Sequence, residues 1–221
     1  MENLFLMLLR FAALIPAIMI HEIAHGYAAL RCGDTTARDE GRLSLNPLRH
    51  VDPFMSVILP AILVLTGSSV VFGGAKPVPI NLWRCRDPKK AYWITALAGP
   101  ASNLAQAVLG ALLFHVLLHV LPDARFSVYL LYFLISYVVT NVVLMVFNLV
   151  PVPPLDGSRV VTVLLPRDLA WRYAQMDRYG MLFVFLLLWI PAFNELIGRA
   201  TFAVCRFVGL ADYLWLLLLG R

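Results

Sequence analysis

The chain has 221 residues, of which 61% are hydrophobic and 14% charged, with a formal net charge of +5. Ordinary soluble domains hold about 45–50% apolar and about 25% charged residues, so the composition excludes a water-soluble globular protein and points to a chain dissolved in lipid. The positive balance is not a nucleic-acid signal, because Lys and Arg lie in short stretches between apolar segments, where they set orientation instead.

Apolar runs occur near 4–20, 54–72, 91–121, 126–150, 181–193 and 200–219, and about 20 such residues cross a hydrocarbon core. The expected fold is an all-α polytopic membrane protein, a helical bundle. No repeat, low-complexity tract or linker divides it, so residues 1–221 read as one domain. Its motifs fall in a core of about 4–160, and further membrane segments follow at about 180–220.

The first run ends in "IMIHEIAHGYAAL", residues 18–30. His21 and His25 are four apart, which on a helix stacks them on one face and lets both imidazoles reach one ion. Glu22, at the edge of that face, is placed to hold a water without being a ligand, the logic of H-E-x-x-H zinc hydrolases. His21 follows Leu4 by 17 residues, roughly 25 Å along a core about 30 Å thick. Ionisable groups at such depth are rare and are paired or functional as a rule. The alternatives are polar residues snorkelling at a helix end, or a cleaved signal peptide, which would discard the His-Glu pair.

Two polar stretches, 35–46 and 70–81, are candidates for short edge strands near the cytoplasmic face, Pro77 and Pro79 suiting an edge rather than a sheet centre; the alternative is plain loop. His50, between Arg49 and Asp52, reads as a headgroup or loop contact. Pro60 and the Gly73-Gly74 pair make 54–72 the segment expected to dip in and return, or to lie against the bundle without crossing. His115 and His119 also stand four apart, but with no carboxylate beside them and Pro122 close behind they read as interfacial or packing residues. Cys32, Cys85 and Cys205 form no C-x-x-C pair and read as free thiols.

Two histidines leave a tetrahedral zinc short of a protein ligand. The candidate third is Asp156 in "FNLVPVPPLDGSRV", residues 147–160, where Pro151, Pro153 and Pro154 prevent regular helix. Irregular backbone at membrane depth is tolerated where protein buries it or water reaches it; the rival reading is an ordinary proline-rich turn in the cytosol. For the three ligands to meet, the spans before them must run the same way, so an odd number of crossings lies between. The stretches 31–51, 73–92 and 151–179 carry four, five and four Lys or Arg, against one in 122–126. The first three are therefore expected to be cytoplasmic, with the metal near that face. The 181–193 run is expected to cross outward, and 200–219 to cross back or lie along an interface.

"HEIAH", "ALAGPASN" at 96–103 and "FNLVPVPPLDG", in that order, resemble the site-2 protease family of intramembrane zinc metalloproteases. The resemblance covers about residues 15–160. It implies that His21, His25 and Asp156 bind one zinc, that Glu22 is the catalytic carboxylate, and that Asn148 helps stabilise the reacting carbonyl oxygen. Unlike larger members, the sequence shows no PDZ-like insertion.

The expected activity is hydrolysis of peptide bonds within or near transmembrane segments of membrane-anchored proteins, as in regulated intramembrane proteolysis, at the cytoplasmic side of the cell (inner) membrane. Expected partners are such a substrate span and the bilayer, with no nucleic acid; oligomeric state and substrate identity are not legible. The rival is a transporter or metal-handling protein using His21, His25 and Asp156 as transient ligands, and a third reading is a silent scaffold. Glu22 discriminates, because transport needs no general base.

Overall fold

The computed structural model describes residues 2–52, 58, 62, 76–122 and 124–220. Helix α1 runs from Glu2 to Cys32, α2 from Thr36 to Asp39, α3 from Pro88 to Val120 and α4 from Arg125 to Asn148. After a proline-rich stretch come α5 (Asp156–Leu164), α6 (Arg167–Gln175), α7 (Gly180–Leu188) and α8 (Pro191–Phe207), and a 3-10 segment at Ala211–Gly220. Three helices are long and apolar enough to span a membrane, Leu4–Cys32, Pro88–Val120 and Arg125–Asn148. Arg167–Leu188 and Pro191–Phe207 form a pair bent by 86° that would make a fourth if it is one broken span. The expectation of an all-α polytopic membrane protein therefore holds.

The chain gathers into two compact units, Ile18–Gly99 and Met1–Ala17 with Pro100–Arg221. In the second, α3 and α4 pack through Ala107, Ala111 and Phe114 against Leu134, Ile135, Val138 and Val142, joined by Cys205, Leu210 and Leu216. Lipid tails are as apolar as leucine, so burial alone does not hold such helices together; close packing and interhelical hydrogen bonds do. Gly110 permits the approach, since a Cβ there would lie 2.8 Å from Val138 Cγ2. Asn103 Nδ2 donates to Asn141 Oδ1 at 2.8 Å and the Tyr137 hydroxyl to Gln106 Oε1 at 2.6 Å, polar pairs worth about 1 kcal/mol each in a membrane.

In the first unit, Asp87 starts α3: its carboxylate accepts from Lys90 N–H at 3.0 Å, and Pro88 takes the first helical position, where no N–H is needed. Asp34, fully buried just past α1, accepts from the Thr36 hydroxyl and N–H and from Asn81 N–H at 2.6 Å. Burial would raise its pKa, but those bonds and the charge of Arg84 outweigh it and hold the carboxyl below the ordinary range.

Several expectations are corrected. No strand occurs among the described residues: 36–39 form a helical turn, and 76–81 has no regular secondary structure and hydrogen-bonds to side chains and a loop carbonyl rather than to a neighbouring strand. Residues 70–75 lie outside the described residues, as does the segment 54–72 except for 58 and 62. Of the two readings of His50, the loop contact is the one observed: it is buried, with Nε2 2.8 Å from the Ser44 carbonyl oxygen. The 181–193 run is split, because Pro191 pushes Ile190 into extended conformation and ends α7. From the 200–219 run, Cys205, Leu210 and Leu216 enter the core. His115 packs edge-on to Phe114 and Tyr213, as expected of a packing residue, while His119 is exposed.

Candidate metal centre

Helix α1 buries Leu6, Ala13, Ala17, His21, His25 and Ala29. That spacing is one helical face, so the histidines face protein rather than lipid. Their Nε2 atoms lie 3.0 Å apart, with ring planes at 85°. His25 Nδ1 lies 2.6 Å from the Thr95 carbonyl oxygen on α3. A carbonyl can only accept, so Nδ1 carries the proton and Nε2 is left as the ligating nitrogen, the outer-shell arrangement of metal-binding histidines.

Gly99 makes room for the pair. A Cβ at that position would sit 2.6 Å from His21 Nε2, 2.5 Å from His21 Cε1 and closer still to His25 Nε2, so only glycine lets α3 pass this near the rings. Thr95 and Gly99 are four apart and present one face of α3 to both histidines.

Asp156 opens α5, directly after the prolines that end α4. Gly157 beside it has no space for a side chain: a Cβ would lie 2.5 Å from the Leu149 carbonyl carbon and 2.7 Å from the Val150 carbonyl oxygen. The chain thus doubles back tightly on the end of α4. The Asp156 carboxylate is buried, with Arg159 Nη1 3.9 Å from Oδ1 one turn along α5.

His21, His25 and Asp156 are each buried, and within the first unit the two histidine nitrogens converge. Ligands about 2.0–2.1 Å from a tetrahedral zinc are about 3.3 Å apart, and the two histidine nitrogens already approach that spacing. Two neutral imidazoles and one carboxylate are a known hydrolytic donor set, so the residues fit zinc.

Glu22 is half-buried, and its Oε2 accepts from Val78 N–H at 2.9 Å. Asn148 ends α4, with Nδ2 donating to the Leu144 carbonyl at 3.0 Å. Gly99, Thr95 and Gly157 have no assigned role in the sequence reading. The "AGP" of "ALAGPASN" and the Asp-Gly pair were the visible traces of the two glycines; nothing in the sequence marks Thr95.

Apolar helices of spanning length, with a buried pair of histidines whose ring nitrogens face each other, define a membrane protein with a candidate metal centre. Comparison with known proteins gives the class a family. The chain is 40% identical over 180 residues to "Putative zinc metalloprotease YwhC" of Bacillus subtilis, covering 80% of this chain and 78% of that one. It is 32% identical over 209 residues to "Putative zinc metalloprotease Rip2" of Mycolicibacterium smegmatis, covering 94% and 76%, and 28% identical over 188 residues to its Mycobacterium tuberculosis namesake, covering 83% and 67%. The chain belongs to this zinc metalloprotease family. No family model matches it, and no solved structure does.

Proposed function

We propose that the protein is an intramembrane zinc endopeptidase of the site-2 protease kind, cutting membrane-anchored proteins within or near their transmembrane segments and close to the cytoplasmic face of the cell membrane. The observation that carries the reading is the buried His21–His25 pair, with Nε2 atoms 3.0 Å apart and Glu22 beside it, on an apolar helix of spanning length; Asp156 is the third ligand in this reading. Family membership supports hydrolysis over transport; the depth of His21 along α1 supports a site within the bilayer.

Zinc held by the three side chains supplies Lewis acidity and lowers the pKa of a water toward about 7. Glu22 takes a proton from the attacking water as its oxygen adds to the peptide carbonyl, and passes a proton to the amine as the C–N bond breaks. The Glu22 oxygen not held by Val78 is the one available for this. Asn148 spends one amide hydrogen on Leu144 and has a second with which to steady the carbonyl oxygen. A substrate helix hides its carbonyls in its own hydrogen bonds and must unwind locally before it can react. Release of a regulator from its membrane anchor is the biological outcome this chemistry fits.

The test is Glu22→Gln in the detergent-purified protein with a membrane-anchored model substrate. Zinc content is expected to stay as in the wild type while cleavage falls by about 10²–10⁴-fold. Full cleavage by the variant, or no cleavage of any membrane-anchored substrate by the zinc-loaded wild type, refutes the proposal.

A further inference from the structure

The stretch Lys76–Asn81 is held at the N–H groups of Lys76, Val78 and Asn81 and the carbonyls of Lys76 and Pro77. Lys76 N–H donates to the His50 carbonyl at 2.8 Å, Val78 N–H to Glu22 Oε2 at 2.9 Å and Asn81 N–H to Asp34 Oδ2 at 2.6 Å. Pro77 and Pro79 have no N–H to give, so Val78 supplies the donor that faces Glu22. Arg42, buried at 7% exposure, donates from Nη2 to the Lys76 carbonyl at 2.7 Å and the Pro77 carbonyl at 3.3 Å. Its own backbone N–H is anchored on Ala37 O at 2.8 Å.

The Pro77 carbonyl and the Val78 N–H belong to one planar peptide unit and point in opposite directions. Arg42 therefore grips one edge of the plane whose other edge holds Glu22. We propose that Arg42 is a positioning residue for Glu22, acting through the Pro77–Val78 peptide; this rests on Glu22 being the general base.

The physical case has two parts. A carboxylate at the edge of a helix face turns about its last torsion over a broad, roughly two-fold range, and one fixed donor on Oε2 selects the rotation that leaves the other oxygen for water. A charge-assisted bond to the carbonyl also polarises the peptide and strengthens its N–H as a donor. Both bonds leave the one nitrogen Nη2, whose two hydrogens serve two successive carbonyls. Room is scarce on the far side: a Cβ on Gly26 would lie 2.9 Å from Val78 Cγ1, so the peptide has little freedom once Arg42 holds it.

Hydrogen exchange read by mass spectrometry on the full, zinc-loaded chain in detergent tests the relay without any proteolysis. With no amide at its two prolines, a peptide covering 76–81 reports on Val78, Ile80 and Asn81, and the Val78 amide is isolated by difference from an overlapping peptide that begins after it. Glu22→Ala is expected to speed its exchange about 10- to 100-fold, the factor for a bond to a charged group. Arg42→Gln should speed the same amide at unchanged zinc content, and combining the two should add nothing further. In cleavage assays Arg42→Gln should lower kcat about 10-fold with KM unchanged, and Arg42→Lys should recover part of it. Wild-type protection of Val78 in Arg42→Gln, zinc loss in that variant, or a rise in KM at constant kcat overturns the proposal. Should Arg42→Gln not fold, Val78→Pro against Val78→Ala decides it. The first removes the N–H and should lower kcat, the second keeps it and should not, and equal behaviour refutes the relay. A wild type that cleaves nothing, with the exchange changes intact, would sink the endopeptidase reading and leave the peptide linkage standing.

Discussion

Replacing Gly99 with alanine tests the metal centre at its tightest point. The added methyl would lie 2.6 Å from His21 Nε2, whereas ordinary Cβ contacts begin at 3.4 Å. Relief requires the ring to retreat by about 0.8 Å, and His25 has still less room. Metal–ligand distances tolerate about ±0.2 Å, so the displacement is several times what coordination allows. Fold stability should suffer less, because imidazole rings can turn where backbone cannot; an overpacking cost of about 1–3 kcal/mol is expected. Zinc affinity, measured by chelator competition on the detergent-purified protein, should fall at least as far as when an outer-shell partner is removed, about 10–100-fold. Helical content and monodispersity should match the wild type. A Gly99→Ala protein that holds zinc with wild-type affinity would show that α3 does not press on the histidines, and the reasoning would fail.

Asp156→Ala, which removes the only carboxylate of the donor set, should cost about 100-fold or more in zinc affinity by the same competition assay. Gly157→Ala drives a methyl against the Leu149 and Val150 carbonyl groups, which are backbone and cannot swing aside. It should destabilise the protein by about 1–3 kcal/mol in denaturant unfolding and reduce zinc uptake with it. Asp34 provides a pH signature. Its folded pKa is lowered from the ordinary 3.8, so its stabilising contribution is complete above that value and drains away as pH falls through and below it. Exchange protection of 31–42 and 76–84 should therefore weaken as pH falls below about 4 in the wild type. Asp34→Asn should lack that slope, and an identical slope in the variant would assign the loss to other carboxylates.

The helices themselves were legible because lipid imposes a simple rule: each run of about 20 apolar residues closes its own hydrogen bonds. The observed α1, α3 and α4 accordingly cover the expected runs at 4–20, 91–121 and 126–150. Where the rule weakens, so did the reading. The 181–193 run is apolar throughout, yet Pro191 breaks it, and hydropathy carries no information about a missing N–H. The stretches 35–46 and 70–81 suit short edge strands, through Pro77 and Pro79 in the second, with plain loop as the alternative. In 76–81 the hydrogen bonds instead go to Glu22, Asp34, Arg42 and His50, partners far away in sequence.

The sequence by itself determined the solvent, the main spans and the donor types, since hydropathy and the i, i+4 histidine pair are local properties of the chain. It also made Asp156 a candidate, through prolines that forbid helix beside a carboxylate. What only the tertiary structure decided is what confines the two histidines. The glycine at 99 against both rings and the Thr95 carbonyl that sets the His25 tautomer depend on helices tens of residues apart in the chain. Approach distances between such helices are fixed by packing, and packing leaves no periodic mark in a single sequence.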